Sequence, residues 1–194
     1  MVTTRLISTI SRAAQIARQL DRLHQQGIVY GPLIPSRLSA HGWLLSSIPA
    51  IDLQTIDLER IAHSPQETLS HSAAPGSASD LYSLGVVLDR QLAGQLPFND
   101  LDPLKLVHEI FMSEPQPPHE ILPQIPVPLS LLIVELLAKL ADERPQSAGE
   151  IAAILETFAE CLQAGAPRAL LFDWNAQSGI PLSASRFRFR KLCQ

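Results

Sequence analysis

The chain has 194 residues, 46% of them apolar and 18% charged, and a formal net charge of -4. That length and composition suit one folded domain or one large lobe, and exclude both a disordered solvating chain and a nucleic-acid binder that works through a broad basic surface. Two distant cysteines, Cys161 and Cys193, and six histidines without an HExxH spacing exclude a disulfide framework, a zinc cluster and a zincin.

In chain order, Leu6, Ile7, Ile10, Ala13, Ala14, Ile16, Ala17, Leu20 and Leu23 recur at three- and four-residue steps, which predicts a long amphipathic helix stopped by Gly27. Its first twenty residues hold three arginines and no acid, as a transit peptide does. The periodicity nevertheless runs past Leu20 without a cleavage-like break, so the segment reads as a helix of a cytoplasmic protein. His24 reads as a capping or surface residue. Short apolar pieces follow between Gly, Pro and Ser (Gly27 to Tyr30, Trp43 to Leu45, Ala50 to Leu53), and these predict brief strands and turns. Residues 62–79 read as a polar surface loop with a possible one-turn helix start at Ser64 to Glu67.

A second helix is predicted from Ser79 to Leu92, closed by Gly94, with Tyr82 as a core or interface aromatic. Asp102 and Pro103 open a third, an aspartate cap followed by a proline whose missing N–H costs nothing. Eight of the sixteen prolines lie between Pro97 and Pro128, so residues 114–127 read as an extended connection. The fourth helix, 128–140, is apolar on nearly every side and reads as buried; the fifth opens with the capping box Ser147 to Glu150 and runs to Leu162. The longest apolar stretch, Val127 to Ala141, is broken by Ser130, Glu135 and Lys139 and cannot span a bilayer. The tail alternates Arg and Phe at Arg186 to Arg190. It reads as an edge strand or linker rather than a single-strand nucleic-acid stacker, so neither a nucleic acid nor a membrane is expected as partner.

The stretch Ser79-Asp80-Leu81-Tyr82-Ser83-Leu84-Gly85-Val86-Val87-Leu88, then Leu92-Ala93-Gly94-Gln95-Leu96-Pro97-Phe98, and finally Asp142-Glu143-Arg144-Pro145 resemble the C-terminal lobe of eukaryotic-type Ser/Thr protein kinases. Within that family the chain looks closest to the kinase domains of large bacterial, especially cyanobacterial, multidomain kinase–ATPase signalling proteins. The resemblance implies a mainly α fold, the helical C-lobe alone with a few short strands. It implies equivalents of the family's αE to αI helices over residues 1–163 and a linker over 164–194. A Gly-rich phosphate loop and a Val-Ala-Ile-Lys strand do not occur in the sequence, so the N-lobe is expected to be absent.

The resemblance also assigns positions. Kinases need a catalytic-loop Asp as base, a Lys on the phosphates and an Asn on Mg²⁺. The aligned residues here are Pro32, Ile34 and Arg37, so no catalytic residue is expected and the chain reads as a pseudokinase-like domain, not an enzyme. Asp52 matches the metal-binding aspartate and is the one candidate for residual Mg²⁺ and ATP contact; otherwise no cofactor is expected. Asp80 matches an aspartate that accepts catalytic-loop backbone N–H groups, a structural role. Arg144 matches an arginine that pairs with a carboxylate; the aligned residue is Gln66, with Glu67 next to it, and either an Arg–Gln bond or a one-residue slip to Glu67 would serve.

Function then reads as a regulatory or protein-interaction module in signalling. Its partner would be the missing N-lobe portion, a neighbouring signalling domain or another kinase. The alternatives are a nucleotide sensor acting through Asp52, part of an active Ser/Thr kinase, and a remnant without selected activity.

Overall fold

The computed structural model describes residues 2–39, 44, 57–70, 72 and 74–165. In chain order these form α1 (Val2–Gln25), a 3-10 turn (Pro35–Arg37), α2 (Leu58–Ala62), α3 (Gln66–Leu69), α4 (Ser77–Ala93), α5 (Pro103–Met112), α6 (Pro118–Ile121), α7 (Val127–Leu136) and α8 (Ala148–Gln163). The architecture is mainly helical, as the sequence predicts.

Local chemistry sets the helix ends. Asp102 Oδ1 accepts the Leu104 N–H at 2.9 Å with Pro103 at the first helical position, and Ser147 Oγ accepts the Glu150 N–H at 3.2 Å. α4 stops at Gly94, whose φ of 85° belongs to the left-handed region.

The apolar stripe of α1 (Leu6, Ile10, Ala13, Ala17, Leu20) is buried, mainly along α8, where Ile151, Leu155 and Phe158 face inward. α4 packs on α1 and on α7, so Leu84, Leu88, Leu129, Leu132, Ile133 and Leu136 complete one core. A smaller cluster of Ala62, Phe98, Leu106 and Ile110 joins α2 to α5. Among the described residues no helix is long and apolar enough to cross a membrane.

Four expectations need correction. The described residues contain no strand, only one isolated antiparallel bridge between Leu38 and Leu44. The reason is that the donors a strand would offer go to side chains: the N–H groups of Tyr30 and Gly31 to Asp80, of Leu33 to Ser83, and of Leu44 to Gln19. Residues 62–79 are not simply a surface loop, since Ala62, His63 and Ser64 are buried behind α2, which Asp57 caps through the Arg60 N–H. The proline-rich connection contains the short helix α6, with Pro118 at its first position. α7 ends at Leu136 rather than residue 140, because the chain turns there to present the Ala138 and Lys139 carbonyls to Arg144. The predicted strand pieces at Trp43 to Leu45 and Ala50 to Leu53 lie largely outside the described residues, as does the tail beyond residue 165.

Candidate functional site

Two buried charged side chains, Asp80 and Arg144, organise everything around the start of α4. Asp80 occupies the first turn of α4 and is fully buried. Its Oδ1 accepts the Gly31 N–H at 2.7 Å, and its Oδ2 accepts the Tyr30 N–H at 2.8 Å and lies 2.8 Å from His24 Nε2. A carboxylate taken from water needs such donors. Burial pushes its carboxyl above the ordinary range, while the bonds from His24, Tyr30 and Gly31 pull the other way. One turn further along α4, Ser83 Oγ accepts the Leu33 N–H at 2.6 Å. α4 thus grips the segment 30–33 by three backbone donors.

Arg37 braces the same segment from the other side. Its Nη2 donates to the Tyr30 carbonyl and its Nη1 to the Pro32 carbonyl, both at 3.1 Å, while the guanidinium stacks 4.2 Å from the Tyr30 ring centroid. The Tyr30 hydroxyl returns a bond to the Arg37 carbonyl at 3.1 Å. Gly31 turns the chain here with φ of 87°, a conformation that side chains rarely adopt.

Arg144, 2% exposed, sits at the second anchor. Its Nη1 and Nη2 donate to the two Glu67 carboxylate oxygens at 2.7 and 3.0 Å, and its remaining donors reach the Ala138, Lys139 and Ala78 carbonyls. Burial alone would raise the Glu67 carboxyl, but the hydrogen bonds and charge of Arg144 outweigh it and hold it below the usual range. The Tyr82 ring lies under the guanidinium at 5.0 Å. Of the two partners open from the sequence, Glu67 takes the charge, while Gln66 Nε2 donates to the Lys139 carbonyl at 2.9 Å. Lys139 itself donates to the Ile110 carbonyl at 2.6 Å and sits 4.3 Å over the Phe98 ring, which locks the last turn of α5 in place.

The structure therefore gathers Pro32, Arg37 and Asp80 at one anchor and Glu67 and Arg144 at another. Asp52 lies outside the described residues. Sequence reasoning missed His24, Ser83 and Arg37 as parts of the first anchor. His24 carried a signal: it continues the buried series Ile10, Ala13, Ala17, Leu20 by four residues, whereas the resemblance that marked the positions of Ser83 and Arg37 did not show that either would hold the segment 30–33. Arg37, at the position aligned with the family's metal-binding Asn, cannot itself coordinate Mg²⁺. Arg37 has no lone pair to give, and it spends both terminal nitrogens on carbonyls.

No family model matches the chain. It is 33% identical over 156 residues to the DNA damage-responsive serine/threonine-protein kinase RqkA of Deinococcus radiodurans, an alignment covering 74% of this chain and 23% of that protein. It is 29% identical over 162 residues to the serine/threonine-protein kinase PknB of Mycobacterium leprae, covering 75% of this chain and 25% of that one. PknB of Mycobacterium tuberculosis is 27% identical over 172 residues, 80% of this chain and 26% of its own length. This is a kinase-like domain. It spans about a quarter of the length of these relatives.

The relatives correct one expectation outright. The substitutions at Pro32, Ile34 and Arg37 read as the loss of enzyme activity, yet the proteins this kinase-like domain matches are named serine/threonine-protein kinases, and nothing described here shows that catalysis is lost. Catalysis in this fold depends on groups from more than one segment, so side chains at one loop are not a sufficient basis for excluding it.

Proposed function

We propose that the chain is the helical-lobe portion of a cytoplasmic Ser/Thr-kinase-type signalling protein, and that it works there as a regulatory or protein-interaction module. The observation that carries this reading is the grip of Asp80 and Ser83 on the segment 30–33. It gives a fixed shape to a stretch without a charged side chain, immediately after the partly exposed Ile28 and Val29. A rigid loop beside exposed apolar side chains suits recognition of another protein surface, with little ordering cost at the moment of contact. Its partner would be an N-lobe-like portion, a neighbouring signalling domain or another kinase.

The test adds the purified chain to a bacterial Ser/Thr kinase and follows phosphate transfer from labelled ATP. The regulatory reading expects the wild-type chain to change the rate of that kinase, and Ile28→Asp with Val29→Asp to remove the effect. Transfer to a generic protein substrate by the chain alone would place the chemistry in the chain itself and displace the reading. A parallel calorimetric titration with ATP and Mg²⁺ probes Asp52: binding that Asp52→Ala removes would favour a nucleotide sensor instead.

A further inference from the structure

α1 and α4 run antiparallel, since His24 near the end of α1 meets Asp80 at the start of α4. At the opposite end, roughly 27 Å along α1 from that contact, Leu6, Leu92, Leu122 and Ile125 line a cavity of about 260 Å³. Leu6, Leu92 and Ile125 belong to the main core, so the floor of the cavity is continuous with it. Arg5, Gln91 and Gln124 complete the lining. Among the described residues none of these three side chains makes a hydrogen bond or ion pair; the Arg5 carbonyl, not its guanidinium, takes the Ser8 hydroxyl.

An apolar hollow with one free guanidinium and two free primary amides selects a definite kind of molecule. The body must be aliphatic, because the walls offer only hydrocarbon. The head must be anionic and rich in acceptors, because every polar group at the rim is a cation or can donate through an amide. A carboxylate matches the planar fork of Arg5 with two parallel bonds. The volume lies just under the usual range of ligand pockets, roughly 300–1,000 Å³, and so favours one unbranched chain over a drug-sized or fused-ring ligand. We propose that this cavity binds a medium-chain fatty carboxylate, with its methyl end against Leu92 and Ile125 and its head on Arg5.

The test is a calorimetric titration of the full chain with hexanoate, octanoate and decanoate, with octylammonium and octanol as controls. Affinity should rise about fourfold per added methylene until the cavity is full. Octylammonium should not bind. Arg5→Glu, at an exposed position, should keep the wild-type melt while losing octanoate and gaining octylammonium. Leu122→Trp, which fills the hollow from its half-buried wall, should exclude both. The proposal is overturned if octanoate gives no heat up to millimolar concentration, if octanoate and octylammonium bind alike, or if folded Arg5→Glu still takes octanoate as the wild type does.

Discussion

Gly85 of α4 and Leu136 of α7 touch with no room for a methyl group between them: a Cβ on Gly85 would stand 2.8 Å from Leu136 Cβ and 3.3 Å from Leu137 Cδ2. Leu136 Cβ is tied to its own backbone, so only a shift of the whole helix could relieve the clash. Alanine is the better helix former by about 1 kcal/mol, yet here Gly85→Ala should cost about 2 kcal/mol net through overpacking. A urea titration should show a lower midpoint with an unchanged slope. An unchanged or higher midpoint would mean that the two helices are not in this contact.

Glu67 and Gln66 are adjacent but should differ sharply when removed. Glu67→Ala leaves the Arg144 guanidinium buried without its carboxylate and should cost about 3–5 kcal/mol. Gln66→Ala removes one bond to the Lys139 carbonyl and should cost about 1 kcal/mol. Equal losses in chemical denaturation would contradict the pairing. Because the Glu67 carboxyl is held below its usual range, the stability it contributes is present above the ordinary carboxylate pKa and is lost as pH falls through the folded value.

Two other acids work in the opposite direction. Asp89 and Glu135 are buried, each with one carboxylate oxygen that has no hydrogen-bond partner, and burial pushes both up to about 7. A carboxyl raised on folding adds stability that is complete at low pH and fades as pH rises through the folded value. Between pH 6.5 and 8 each should therefore remove about 0.8 kcal/mol. His63, whose buried imidazole is pushed below its usual range, adds stability as pH rises through about 6.5, so it opposes the two acids only in the lower part of this window and does not cancel them. Melting temperature should fall across it, and the combined Asp89→Asn and Glu135→Gln variant should flatten the profile. A wild-type melt that rises across the window would count against these assignments.

The Tyr82 hydroxyl is buried without a hydrogen-bond partner, although its ring supports Arg144. Burial also pushes the phenol well up, so it stays neutral. Tyr82→Phe keeps the ring and removes an unsatisfied polar atom, and should leave the protein as stable or up to about 1 kcal/mol more so. A clear loss in a thermal melt would show that the hydroxyl has a role in the fold.

Legibility in the sequence followed the physics of each element. The long amphipathic and capped helices were readable because periodicity and caps are local: the stripe of α1, Asp102 before Pro103, and Ser147 before Glu150. α2 was not read, although Asp57 is a capping residue, because one and a half turns give periodicity too little length to register. The piece Gly27 to Tyr30 reads as a brief strand or turn because its apolar run looks the same whether the Tyr30 N–H goes to a neighbouring strand or to Asp80, fifty residues away. That choice is tertiary. The roles of Asp80 and Arg144 came from family resemblance, since no local pattern distinguishes a buried aspartate that collects backbone donors from an exposed one.

The pairing of α1 with α8 also bears on how the chain is made. Arg18 and Glu156 meet across 138 positions of sequence, and the leucine and alanine stripe between them closes over the same span. At about 5–20 residues per second, a ribosome that has finished α1 needs on the order of ten seconds to deliver its mate. Through that interval the face of α1 that α8 covers stays open, the kind of nascent amphipathic segment that a holdase chaperone binds. Closure of this part of the core is therefore timed by the synthesis of α8 rather than by that of α1.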